Sequence, residues 1–153
     1  MADNSISLNT EQVPVLDEQI CFALYSASRA ITARYRDLLD PLGLTYPQYL
    51  VLLVLWETEP VTVSHLGERL HLDSGTLSPL LRRMESAGLL TRSRLPHDER
   101  SVQVSLTKRG SILRYEARGI TDLVCAATGV GLADLQALRE QVALLDGHVR
   151  DAL

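Results

Sequence analysis

The sequence predicts a mainly α-helical protein carrying one small β-hairpin. Three observations point there. Apolar residues recur at three- and four-residue intervals over most of the chain. The period changes to two only once, in LLTRSRL and SVQVSLT, most cleanly at Val102, Val104 and Leu106. The outer segments carry apolar stripes too long for the small central unit to cover, and an α-helical dimerisation layer is the simplest partner for them.

Residues 1–12 are polar and read as a frayed end. From Pro14 to about Asp40 the positions Leu16, Ile20, Ala23, Leu24, Ala27, Ile31 and Leu38 describe one long helix, with Cys21 in its apolar stretch LDEQICFALYSASRA. Asp40-Pro41-Leu42-Gly43 ends it. In TYPQ, Thr45 is the N-cap, Gln48 completes a capping box and Pro47 lies in the first turn. The following YLVLLVLWE is apolar nearly all round, so that helix is buried on most sides. Thr62 caps a short helix, VSHLGERL. Asp73 or Ser74 caps the next, whose stripe is Leu77, Leu80, Leu81 and Met84 and whose end is marked by Gly88. Pro79 fits only near the first turn, because deeper in a helix it costs about 3 kcal/mol. The hairpin follows, with the polar PHDER at its tip. Thr107 caps a long helix expected to run to about Thr128, where Gly129 and Gly131 break it. A final helix covers roughly 133–152.

A chain of 153 residues fits one domain, with 1–44 and 108–153 as dimerisation helices and 45–107 between them. Its longest apolar run, Tyr49–Trp56, is eight residues, far short of the roughly 20 that span a bilayer. MADNSISLNTEQ has neither the positive nor the apolar region of a secretory signal, so the expected compartment is the cytoplasm, with no membrane partner. Two cysteines far apart do not make the disulfide framework of a small secreted protein. No Cys/His group has metal-ligand spacing, and His65, His71 and His97 read as surface or phosphate-facing residues. No metal or cofactor is therefore expected. The net charge of −4 argues against a nucleic-acid partner until its distribution is seen. Residues 61–110 hold eight basic and five acidic side chains, while the rest holds seven basic and fourteen acidic. The central third alone is basic.

Helix-turn-helix followed by a two-stranded hairpin is a winged helix. Within it, DSGTLSPLLRRMESAGLLTRSRLPHDERSVQVSLTKRG carries Asp98-x-Arg100, five residues, then Leu106-Thr107. This pattern, and the Leu-Ser-Pro-Leu segment with Pro79, resemble the wing and recognition helix of the MarR family of regulators. The likeness extends over nearly all of residues 15–150. Cys21, with Tyr35 and Tyr46 downstream and a second cysteine at 125, resembles the two-cysteine type of the organic hydroperoxide resistance regulators (OhrR) in that family.

The resemblance implies a homodimeric repressor on double-stranded, pseudo-palindromic operator DNA. Helix 73–87 would enter the major groove, its buried stripe leaving Ser74, Thr76, Ser78 and Arg82 or Arg83 toward DNA. Serine there has a blander role as a cap or a solvated hydroxyl, and the arginines as a solvated helix end. Arg100, with Arg94 behind it, would reach the minor groove, and Asp98 is expected to hold the Arg100 guanidinium. Taken alone, that pair is a surface ion pair of little energetic value.

The resemblance also implies that Tyr35 and Tyr46 hydrogen-bond the sulfur of Cys21, which an organic hydroperoxide oxidises to sulfenic acid before an intersubunit disulfide forms with Cys125. Hydrogen-bond donation favours the reactive thiolate, and no Lys or Arg lies within a turn of Cys21. Tyr35 is fourteen residues further on, roughly 20 Å along a straight helix. Tyr35 therefore cannot touch Cys21 along one straight helix, and a dimer could supply Tyr35 and Tyr46 from the other subunit. Phe22, Leu24, Tyr25 and Trp56 are candidates for an apolar pocket around the thiol. Two other readings compete. One is a repressor that responds to a small aromatic ligand, with cysteines that are only small hydrophobes. The other is a thiol peroxidase, although the chain has no CxxC and no thioredoxin-like βαβ pattern. The expectation is a regulator with no catalytic residues, not an enzyme.

Overall fold

The computed structural model describes residues 13–153, apart from the side chain of Glu99; the polar segment 1–12 lies outside the described residues. Among the described residues, seven α-helices and three strands follow in order: α1 (Ile20–Leu39), α2 (Tyr46–Glu57), β1 (Val61–Thr62), α3 (Val63–Leu70), α4 (Ser74–Ser86), β2 (Leu90–Leu95), β3 (Asp98–Leu106), α5 (Lys108–Glu116), α6 (Ile120–Ala127) and α7 (Leu132–Asp151). The mainly helical class with a hairpin wing is the architecture found.

The first helix starts later than its apolar pattern does. Leu16–Glu18 form a single 3₁₀ turn, and Gln19 is extended (φ −84°, ψ 112°), so helical bonding begins with Ala23 N–H donating to Gln19 O at 3.1 Å. Cys21 thus lies in the first turn of α1, not in the middle of a longer helix. At the other end, Gly43 takes the left-handed conformation and turns the chain into α2. There the Thr45 N–H donates to Gln48 Oε1 at 2.9 Å, the reciprocal half of the expected capping box.

Thr62 caps α3 by accepting from His65 N–H at 3.1 Å, and Asp73, rather than Ser74, caps α4 by accepting from Thr76 N–H at 2.8 Å. Pro79 is the sixth residue of α4, beyond the first turn where it was expected to be tolerable. It leaves the Gly75 carbonyl without its helical donor. Burial of Leu77, Leu80, Leu81 and Met84 outweighs that cost. Each is worth about 1.5–3 kcal/mol, against about 3 for the proline.

The sheet has three strands in the order β1-β3-β2, all antiparallel. The two-residue β1, pairing Val61 with Val104, has no signature in the sequence because it is too short to alternate. Strand β3 begins at Asp98, so the tip is tighter than the whole of PHDER, with an irregularity between Arg94 and Leu95. The expected single helix from Thr107 to Thr128 is two. Helix α5 stops at Glu116, and Gly119 (φ +79°) makes a left-handed step that starts α6 in a new direction.

The core joins α2, α3, α4 and the sheet: Leu52, Leu55, Leu66, Leu77, Leu81, Met84, Leu90 and Val104 are fully enclosed. Helix α1 adds only Leu39 from its last turn, and α7 adds no buried residue. Ile20, Leu138, Val142, Leu144 and Val149 are exposed. Among the described residues, no single helix is long and apolar enough to cross a membrane.

Candidate functional site

Two sets of side chains stand out, one on α4 and the hairpin and one along α1 and α6. On α4, the buried stripe turns the opposite side outward. Ser74, Arg82 and Arg83 are exposed and Ser78 is half-buried. Thr76 is engaged locally, since its backbone N–H and its hydroxyl both bond the Asp73 carboxylate, at 2.8 and 3.2 Å. The same two bonds, the backbone one foremost, hold the Asp73 carboxyl below its usual range.

At the wing, Asp98 does not hold the Arg100 guanidinium as expected. Its Oδ1 accepts the backbone N–H of Arg100 at 3.0 Å, and its Oδ2 accepts the Ser101 hydroxyl at 2.6 Å. The carboxylate is two residues before Arg100 in a tightening strand, so the backbone donor is the nearer one. The Ser101 hydroxyl first, then the Arg100 N–H, keep the Asp98 carboxyl low. Asp98 therefore fixes the strand from which Arg100 projects. Arg94 is exposed on β2 nearby.

Sequence reasoning missed the link between these parts. Glu85, in the last turn of α4, accepts the Arg92 N–H at 3.0 Å through Oε1 and the Arg92 Nε and Nη2 at 3.0 and 2.7 Å through Oε2. This fork fastens α4 to the first strand of the hairpin, β2. The two residues are seven apart across a turn, a spacing that no helical or strand period marks.

Cys21 is exposed and Cys125 half-buried. Cys21 borders an open apolar groove of about 640 Å³ between α1 and α7, lined among others by Leu24, Ile31, Leu138 and Val142, with Tyr46 also on its lining. Of the four expected pocket residues, only Leu24 belongs to it. Phe22 and Tyr25 line a different surface of α1, where Arg29 lies 5.4 Å from the Tyr25 ring. Trp56 is remote, with its indole N–H donating to Gly110 O at 3.0 Å. A helix turns each successive residue by 100°, so neighbours of Cys21 in sequence need not share its groove.

Tyr35 and Tyr46 meet directly, ring centroids 4.5 Å apart, and Tyr49 joins them 5.8 Å from Tyr35. Burial first, and the neighbouring phenols after it, push the Tyr35 and Tyr46 hydroxyls above the usual tyrosine range. Both rings therefore keep their protons and stay hydrogen-bond donors at neutral pH. Cys125 and Thr121, both on α6, lie near the Tyr35 phenol. One protomer thus assembles Tyr35, Tyr46, Thr121 and Cys125 in one place. Its own Cys21 lies fourteen residues before Tyr35 on α1, roughly 20 Å away along the axis. Among the described residues, no group of three or more His, Cys, Asp or Glu side chains is arranged to hold a metal ion.

The MarR family model matches residues 44–102. The organic hydroperoxide resistance transcriptional regulator of Bacillus subtilis is 50% identical over 124 residues, covering 81% of this chain and 84% of that protein. Among solved structures, reduced AbfR bound to DNA superposes with a TM-score of 0.75 at 32% identity, covering 88% of this chain and 94% of that one. A disulfide-formed AbfR gives 0.59 at 34% identity, covering 85% and 91%; AbfR comes from Staphylococcus epidermidis.

Proposed function

This chain belongs to the MarR family of transcriptional regulators, and from that premise we propose that it is a homodimeric repressor released from its operator by organic hydroperoxides. The cluster at Tyr35, Tyr46 and Cys125 carries the proposal. It has the donors and the second thiol of a peroxide-sensing centre, but its own Cys21 is out of reach along α1. Pairing two chains through the exposed apolar sides of α1 and α7 brings the Cys21 of one subunit to the phenols of the other. In this reading residues 1–44 and 108–153 make the dimer and 45–107 read DNA.

The chemistry follows from the groups present. The Cys21 thiolate attacks one peroxide oxygen, the O–O bond breaks and the alkoxide leaves, taking a proton to become an alcohol; the sulfur becomes a sulfenic acid. The Cys125 thiolate of the other subunit then attacks that sulfur. A disulfide forms, hydroxide leaves and is protonated to water. Phenol O–H groups stabilise the thiolate before the first step. The apolar groove favours an alkyl hydroperoxide over hydrogen peroxide.

On DNA, Ser74, Thr76, Ser78, Arg82 and Arg83 meet the major groove and its phosphates, while Arg94 and Arg100 follow the backbone and the minor groove. Asp98 sets the pose of the tip. The disulfide changes the spacing of two recognition helices that must sit about one helical turn of DNA apart. The work is done in the cytoplasm, where operator DNA is. The B. subtilis relative named for organic hydroperoxide resistance, and the AbfR forms named as DNA-bound and disulfide-formed, support this reading. Its relatives are regulators rather than peroxidases.

Non-reducing gels run beside operator binding test it. Cumene hydroperoxide should yield a covalent dimer and release DNA, and both effects should vanish in Cys21→Ser. Release without a covalent dimer would remove Cys125 from the mechanism. Release that survives Cys21→Ser would overturn the thiol reading in favour of a ligand-responsive repressor.

A further inference from the structure

Thr121, on α6, is reached by no sequence motif, yet it stands at the centre of the phenol cluster. The Tyr49 hydroxyl and Thr121 Oγ1 are 3.3 Å apart, and the Tyr35 ring lies 5.8 Å from the Tyr49 ring with its phenol beside Thr121. Tyr49 is only 3% exposed, and its ring packs edge-on against Trp56 at 6.0 Å between centroids, so its hydroxyl is held by the core. A hydroxyl donates one proton and accepts others. The three groups can then form one directed chain: Tyr49 O–H to Thr121, Thr121 O–H to Tyr35, and Tyr35 O–H outward. Each donor in such a chain is polarised by the one behind it. Cys125 follows Thr121 by four residues on the same helix, one turn away on the same side.

We propose that Thr121 is a positioning residue of the peroxide-sensing centre, whose hydroxyl couples the buried Tyr49 to Tyr35 and so aims the Tyr35 proton at the sulfur of the partner subunit's Cys21. The proposal rests on the sensing function given above. It extends it in two ways. Tyr49 becomes the anchor of the donor chain, although only Tyr35 and Tyr46 stand out in the sequence. The helix that carries the resolving thiol also carries the hydroxyl that sets the donor.

The test uses the full chain with Cys125→Ser, so that Cys21 is the only thiol. Thr121→Val keeps shape and removes the hydroxyl; Thr121→Ser restores the hydroxyl without the methyl. Two rates are read at pH 7: alkylation of Cys21 by iodoacetamide and its oxidation by cumene hydroperoxide. Thr121→Val should slow both by roughly tenfold, the loss expected for one charge-assisted hydrogen bond. Thr121→Ser should recover most of it, and operator affinity of the reduced protein should match that of the parent. Parent-like rates in Thr121→Val overturn the proposal. So does a Thr121→Ser variant as slow as Thr121→Val, since packing and not the hydroxyl would then matter. Tyr35→Phe separates the two levels. If it slows Cys21 and Thr121→Val does not, only the role of Thr121 fails. If Tyr35→Phe is also without effect, the phenol-assisted sensing centre itself fails.

Discussion

Tyr35 and Tyr46 are eleven residues apart and belong to different helices, yet their ring centroids lie 4.5 Å from each other. The turn through Gly43 folds the start of α2 back on the last part of α1 and brings them together. Their protons are retained at neutral pH because burial disfavours the phenolate. Tyr46→Phe keeps the ring contact and removes one donor. It should slow oxidation of Cys21 by cumene hydroperoxide roughly tenfold, while thermal unfolding stays within a few degrees of the parent. Stopped-flow oxidation beside a thermal melt checks both halves. A large drop in melting temperature would mean the hydroxyl has a structural role instead.

The wing makes a prediction that salt can read. Arg100→Ala should weaken operator binding and reduce the slope of log K against log salt by about 1, the signature of one lost phosphate contact. Fluorescence anisotropy over a salt series measures it. An unchanged slope and affinity would take Arg100 off the DNA.

Asp98 acts on the same tip through the backbone, and its pH behaviour has a definite sign. Its carboxyl is held below the ordinary value by the Ser101 hydroxyl and the Arg100 N–H. A lowered folded pKa means that the contribution is present above the ordinary carboxylate value and is lost as pH falls through the folded one. Operator binding by the parent should therefore lose nothing at the tip between about pH 8 and pH 5. Asp98→Ala should bind more weakly than the parent across that whole range. A defect of Asp98→Ala that appeared only on one side of neutrality would assign the pH dependence to another group.

Helix α7 has no buried residue, and Val142 faces the groove shared with Cys21. A charge placed there should oppose pairing of two chains. Val142→Asp is expected to shift the protein toward monomer in light scattering and to lower operator affinity together with it, since half an operator is then read. A Val142→Asp dimer as tight as the parent's would place the dimer contact elsewhere.

Gly110 tests the junction between α5 and the segment joining α4 to β2. A Cβ there would collide with the Leu89 carbonyl oxygen, a backbone atom that cannot swing aside. The Gly110 carbonyl also accepts the Trp56 indole N–H. Gly110→Ala should destabilise the fold by at least about 1–3 kcal/mol through overpacking. Urea unfolding would expose the error if the loss were near zero.

Much of this protein was fixed by its local sequence. The period-two run at Val102, Val104 and Leu106, the stripe from Leu77 to Met84, and the caps at Thr45, Thr62, Asp73 and Thr107 are short-range features. They depend on neighbours within one or two turns, so α2, α3, α4 and the wing could be read directly. The breaks at Gln19 and Gly119 could not. Apolar spacing continues through both, and only the backbone conformation there interrupts the helix.

The candidate site residues divide in the same way. Cys21, Tyr35, Tyr46, Asp98 and Arg100 stand out because they occur in a recognisable pattern. Which groove lines Cys21, what Asp98 holds, and how Glu85 reaches Arg92 were decided by tertiary structure. Thr121 is the clearest case. It meets Tyr49 across 72 residues of chain, and a hydrogen bond over that separation leaves no periodic trace in the sequence. Local preferences act along the chain and can be read from it; contacts between helices depend on how those helices cross, which only the packed fold determines.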